Sequence, residues 1–289
     1  MTLTTPEGVR LVGYYSRQPA TASKGVVLVL HGWLGSANSN YALRIGDFLF
    51  RQGYSIFRLN FRDHGETYSL NEELFRGDLL DETVAAARQV AQLEHNRPMH
   101  VVGASMGGNF ALRLAWQQGQ APIPNLGHSV AICPAIDGYH VTLALDRQPF
   151  YWTYFRRKWV KSLHQKMAAF PGKYDFSTVL AARSCLSMTE AWVPLCSPYP
   201  EARAYFDSYR VTPAMLADLP SPVSIIAAAD DPIVPITDFS PFLQLPPPLR
   251  IYRQPYGGHV GFLTLFSRPF WLGEAILSLL AGGPGPGKK

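Results

Sequence analysis

Two hydrophobic rhythms alternate along this chain. Continuous apolar runs rich in β-branched residues occur at GVVLVLHGW (25–33), YSIFRLNFR (54–62), MHVVGAS (99–105), HSVAICPA (128–135) and PVSIIAAAD (222–230). Runs of this kind predict strands buried on both faces. VRLVGYYS (9–16) predicts an early strand, and LRIYRQP (249–255), shorter and more polar, an edge strand. Between the runs the period lengthens. SNYALRIGDFLFR (39–51) carries apolar residues at Tyr41, Ile45, Phe48 and Leu49, a helical spacing that Gly53 then ends. DLLDETVAAARQVAQL (78–93) is a second helix with acids in its first turns, where the dipole favours them. MGGNFALRLAWQQ (106–118) and FWLGEAILSLLA (270–281) are two more. Strands alternating with helices imply βαβ crossovers, and so an α/β fold with a mostly parallel sheet covered by helices on both faces.

Residues 137–216 break the rhythm. They hold helix-like stretches but no strand-like run. An insertion of that size between two core strands predicts a helical cap (137–216) over the sheet's C-terminal edge, where ligands bind in open α/β sheets. The core is then discontinuous, 1–136 and 217–289. The tail GGPGPGKK offers nothing to pack.

Composition narrows the class. With 47% hydrophobic and 16% charged residues among 289, the chain can bury a large core. No run approaches the ~20 apolar residues of a spanning helix, and MTLTTPEGVR does not read as a signal peptide, so a cytoplasmic protein is expected. Cys133, Cys185 and Cys196 are odd in number and widely spaced, which predicts buried or spare thiols in place of a disulfide framework or zinc site. No metal or cofactor is implied.

The candidate chemistry starts at Gly103-Ala104-Ser105-Met106-Gly107, a G-x-S-x-G run between a predicted strand and a predicted helix. In that setting the serine of a nucleophile elbow stands exposed on a tight turn, with helix N–H groups beside it. Serine needs a base, and His259, in the glycine-flanked YGGHVGF after the last core strand, is best placed to supply one. His31 and His64 also follow strands but suit a loop-supporting role; the remaining five histidines fall in helices, strand starts or the cap. The base needs an acid, and AAADDPIVP favours Asp231, with Asp230 and Asp137 as alternatives. HGWLGS (31–36) provides a loop whose Trp33 N–H joins that of Met106 as an oxyanion hole.

The motifs LHGWLGSANSNY, LNFRDHGET, GASMGGN, AADDPIVP and GGHVGF resemble those of the α/β-hydrolase superfamily, in its YheT-like and EMB8-like (AB hydrolase 4) branch. The resemblance implies a charge-relay system of Ser105, Asp231 and His259 and hydrolysis of carboxylic esters, some of them lipid-like. Arg62-Asp63-His64-Gly65 departs from the branch's usual RGHG-like stretch. An acyltransferase or thioesterase on the same triad, or a non-catalytic ligand-binding protein of this fold, are the alternatives.

In the cap, Phe150, Tyr151, Tyr154, Phe155, Trp159, Leu163 and Met167 recur at helical spacing, with Arg156, Arg157, Lys158, Lys161 and Lys166 between them. The pattern predicts an amphipathic lid, aromatics over the active site and a solvated basic face. Weak contact with a membrane surface is a second reading of the same pattern. The net charge of +5 comes with no groove-reading motif, so nucleic acid is not an expected partner.

Overall fold

The computed structural model describes residues 1–19, 21–262, 270–283, 285 and 287. Eight strands form one sheet: β1 (Thr2–Thr4), β2 (Arg10–Ser16), β3 (Val26–Leu30), β4 (Ser55–Leu59), β5 (Met99–Ala104), β6 (Leu126–Ile132), β7 (Val223–Ala228) and β8 (Leu249–Gln254). Their order across the sheet is β1-β2-β4-β3-β5-β6-β7-β8. β2 runs antiparallel to both its neighbours, and every pair from β4 to β8 is parallel. The five apolar runs are the central strands β3 to β7, and LRIYRQP is the edge strand β8. The three-residue β1 is too short to leave a periodic signature in the sequence.

Helices α1 (Asn40–Arg51) and α10 (Trp271–Leu280) cover one face, where Ile45, Leu49, Leu272 and Ile276 pack on Val27, Val29 and Val102. Helices α2 (Leu80–Leu93) and α3 (Met106–Gln117) cover the other, where Val84, Phe110 and Leu114 meet Leu28, Phe57 and Val101. The alternation of strand side chains between these two clusters explains why both faces had to be apolar. Chain direction across the sheet reverses around β3 and β5, since β4 lies on one side of β3 and β5 on the other. Loops at their C-terminal ends diverge and leave a crevice.

Between β6 and β7 lie α4 (Gly138–Asp146), α5 (Pro149–Ala169), α6 (Ser177–Ala181), α7 (Cys185–Cys196), α8 (Ala202–Ser208) and α9 (Pro213–Leu216). Asp137 caps α4, accepting hydrogen bonds from the N–H groups of Tyr139 and His140. α5 dominates this segment, and it corrects the expectation of a solvated basic face. Lys166 is 1% exposed and shares a buried stripe with Trp159 and Leu163. Its Nζ lies 2.8 Å from Asp63 Oδ1 and also donates to the carbonyls of Asn71 and Glu73. Arg156 donates to the carbonyls of Leu180 and Ala182, and Lys158 to that of Leu34. Only Arg157 and Lys161 are exposed. The other cations lie where carbonyls end unpaired at loops, and those acceptors draw them inward.

No helix among the described residues is long and apolar enough to cross a membrane. Of the tail GGPGPGKK, residues 284, 286, 288 and 289 lie outside the described residues, so half of that expectation does.

Candidate active site

Ser105 stands at the end of the central strand β5 with φ 55° and ψ −117°. That backbone is uncommon for a residue with a Cβ, and close packing around it holds it in place. A Cβ on Gly103 would lie 2.0 Å from the Gly107 carbonyl oxygen, and one on Gly107 would lie 2.3 Å from that of Leu30. Both glycines are therefore steric requirements of the turn. The Ser105 N–H donates to the Ile132 carbonyl, and its own carbonyl accepts from Asn109 and Ala135, tying the turn to β6 and α3.

His259 Nε2 lies 2.9 Å from Ser105 Oγ, and His259 Nδ1 lies 2.9 Å from Asp231 Oδ2. Asp231 Oδ1 accepts in turn from the N–H groups of Ile233 and Val234 at 2.8 and 3.0 Å. Burial opposes the Asp231 charge, but the His259 contact and these two N–H groups outweigh it and hold the carboxyl below its usual range. The two alternative acids serve elsewhere. Asp230 accepts from Gly257 and Gly258 at 2.8 Å each and so shapes the loop that carries His259. Asp137 is the α4 cap and lies 3.1 Å from Arg210.

Trp33 and Met106 both border the cavity at Ser105. Among the described residues, no protein acceptor takes either of their N–H groups. The loop that carries Trp33 is pinned from three sides. Tyr41 Oη accepts from the Gly32 N–H at 2.7 Å. His31 donates from Nδ1 to the Gly32 carbonyl and accepts from the Phe61 N–H. His64 donates to the Arg62 carbonyl and accepts from the Leu34 N–H at 3.1 Å. Both histidines are fully buried, and that burial depresses their protonation, His64 to about 4. Each stays neutral, so each can accept one hydrogen bond while it donates another.

Sequence reasoning missed the electrostatic bracing around this loop. Asp63 pairs with Lys166, while Arg62 pairs with Glu82 at 2.6 Å, all of them buried. The Asp63 carboxyl is raised, burial outweighing the neighbouring Lys166 charge. Partners 20 and 103 residues away leave no local pattern. The one available signal was the register of Lys166 with Trp159 and Leu163. Cys133 is buried beside Asp231, and burial, followed by that negative charge, opposes its ionisation, so it stays a thiol.

Ser105 and His259 border two cavities of different character. The inner one, about 100 Å³, is walled by aromatic and aliphatic side chains including Phe155, Trp159, Trp192 and Leu145, and among the described residues no Asp, Glu, Lys or Arg lines it. The outer cleft, about 820 Å³, opens past Tyr154, Lys158 and Arg44. Trp33 separates the two, its indole stacked on Phe155 at 5.8 Å and edge-on to Trp159 at 5.1 Å.

A serine on a strained strand-to-helix turn, touching a histidine that touches a carboxylate, in chain order Ser–Asp–His, has known counterparts. The alpha/beta hydrolase family model matches residues 26–273. The chain belongs to that family. "Putative esterase YheT" of Escherichia coli (strain K12) is 26% identical over 286 residues, covering 95% of this chain and 82% of the relative. Among solved structures, the Pyrococcus furiosus esterase Pf2001 aligns with a TM-score of 0.63 at 17% identity, covering 99% of this chain and 90% of that one. The esterase Est1E of Butyrivibrio proteoclasticus, with ferulic acid bound, aligns at 0.64 and 14% identity, covering 98% of both. These two likenesses show the alpha/beta hydrolase fold, and the chain is YheT-like within the family.

Proposed function

We propose that this hydrolase cleaves carboxylic esters through an acyl-enzyme on Ser105. The observation that carries the reading is the unbroken contact from Ser105 Oγ through His259 to Asp231. Ser105 Oγ attacks the ester carbonyl as its proton passes to His259 Nε2. Asp231 holds the ring with Nδ1–H toward the carboxylate and stabilises the imidazolium. The Trp33 and Met106 N–H groups receive the oxyanion. Collapse of the tetrahedral species breaks the ester C–O bond, and His259 returns the proton to the departing alcohol. Water, deprotonated by the same ring, then frees the acid and restores the serine. The inner cavity receives the acyl group, the part that stays attached between the two steps. Thioesters react through the same acyl-enzyme, and an alcohol in place of water gives acyl transfer; a substrate panel separates these outcomes. Three free thiols, two of them buried, suit a reducing compartment, so the cytoplasm is the proposed setting.

The test is Ser105→Ala. It abolishes p-nitrophenyl ester turnover and fluorophosphonate labelling while circular dichroism and the melting transition stay those of the parent. Undiminished turnover refutes the assignment.

A further inference from the structure

The two cavities at Ser105 differ in charge as well as in size. Among the described residues, the inner one is lined by no charged side chain apart from His259 when protonated. The outer cleft is lined, among the described residues, by two cations, Arg44 and Lys158, and by no Asp or Glu. Among the described residues, neither cation forms an ion pair with a carboxylate. Their contacts hold the charged groups in place without neutralising them. The Arg44 guanidinium lies over the Phe270 ring at 4.5 Å. Lys158 Nζ lies 4.9 Å from the Tyr154 ring centre and donates to the Leu34 carbonyl at 3.0 Å, using one of its three N–H groups. The Lys158 charge is felt at the loop that carries Trp33: burial is the larger cause, and Lys158 adds to it in keeping His31 and His64 neutral. Unpaired cations beside an open, water-filled path attract anions and raise their local concentration.

We propose that the outer cleft is a selectivity site for esters whose alcohol portion carries an anionic group, a carboxylate or a phosphate, held between Arg44 and Lys158. The inference rests on the acyl-enzyme reading above. The smaller, more enclosed apolar cavity suits the group that stays bound to Ser105 after the first step. An open cleft suits the alcohol that leaves and the water that replaces it. Anionic recognition therefore belongs to the leaving portion.

The experiment compares kcat/KM for 4-acetoxybenzoate, its neutral methyl ester and 4-acetoxyphenyl phosphate. Each rate is divided by the same ester's rate of hydrolysis by hydroxide, which removes differences in leaving-group reactivity. The expected result is a preference for an anionic ester over the neutral one of about tenfold at low salt, shrinking toward unity in about 0.5 M NaCl. The two anionic esters show whether carboxylate or phosphate is the better fit. Arg44→Gln lowers kcat/KM several-fold more for the anionic esters than for the neutral one. Equal treatment of charged and neutral esters, a preference that ignores salt, or an equal effect of Arg44→Gln on both overturns the proposal. The two readings fail separately. If Ser105→Ala still turns over the neutral ester, the acyl-enzyme reading falls and the selectivity site with it. If that variant is dead yet the parent shows no charge preference, only the selectivity site falls.

Discussion

Replacing Lys166 with Met tests whether buried charge ties α5 to the catalytic core. The substitution keeps most of the side chain's length and apolar contact and removes the ammonium. Asp63 Oδ1 then loses its cation at 2.8 Å inside a region where the two side chains are 5% and 1% exposed. Asp63 Oδ2 keeps only the Phe75 N–H at 3.0 Å, and the carbonyls of Asn71 and Glu73 lose their shared donor. Breaking a buried pair from one side leaves an uncompensated charge and costs about 3–5 kcal/mol. At the sensitivity of a domain this large, that is a fall in melting temperature of about 10 °C. Activity falls as well, because α5 carries Phe155, Trp159 and Lys158 to the cavities at Ser105. Urea unfolding and scanning fluorimetry on the single variant, Asp63→Asn, and the double variant complete a thermodynamic cycle. The double variant, with no buried charge left over, regains part of the loss. A Lys166→Met protein within about 1 kcal/mol of the parent refutes the bracing role, since a surface lysine costs no more than that.

Three further predictions follow from the same geometry. Leu145→Ala enlarges the inner cavity, so the optimum in a p-nitrophenyl ester series moves from short chains toward longer ones; kcat/KM from acetate to octanoate reads the shift. The parent's preference for short chains follows from comparison with benzene, which fills a cavity of about 150 Å³. His64, with folded protonation near 4 against 6.5 free, gives stability that is complete above pH 6.5 and declines as pH falls toward 4. By pH 5 the unfolded chain's extra proton removes about 2 kcal/mol, so the stability difference between pH 7 and pH 5, by urea unfolding, is smaller by that amount in His64→Gln. Finally, Phe150 is 90% exposed at the outer cleft, beside Tyr154 at 54%. If this rim meets a membrane surface, anionic vesicles co-sediment the protein at low salt and Phe150→Ser abolishes it; no sedimentation removes the membrane reading.

The layout was legible because the two hydrophobic periods differ so clearly. Val26–Leu30 and Val223–Ala228 are apolar at almost every position because helices cover both sheet faces, and only a parallel sheet imposes that. Ser105 was legible for a local reason: the glycines at 103 and 107 are dictated by neighbouring backbone atoms, so they recur within five residues. Asp231 was separable from Asp230 only through the Pro232-Ile233-Val234 segment, whose N–H groups fix the carboxylate. Lys166 was misplaced because a long cationic side chain on an amphipathic helix is ordinarily solvated, and the carboxylate that overrides this lies 103 residues away. Long-range charge pairing has no period, so no pattern along the chain announces it.

The bracing also accounts for where the backbone is strained. Among the described residues eight non-glycines have positive φ; Leu34, Asp63, Glu66, Ser105, Cys133, Val260 and Phe262 lie in the segments after the C-terminal ends of β3 to β6 and β8, and Asn125, just before β6, is the exception. Each such residue costs of order 1–3 kcal/mol and persists only where its surroundings over-determine it. Here the determinants are specific. Leu34 is held at its N–H by His64 and at its carbonyl by Lys158. Asp63 is held by Lys166 and by the Phe75 N–H, and Ser105 by Ile132, Asn109 and Ala135. Val260 follows the ring that Asp231 anchors. The buried charges that are costly as isolated pairs therefore offset strain that the reacting geometry requires. It follows that α5 positions the site as well as covering it: it reaches the loop that carries Trp33 through Lys158 and the Asp63 turn through Lys166. A protein relieved of these cations would relax its loops first at Trp33, the residue whose N–H is proposed to receive the oxyanion.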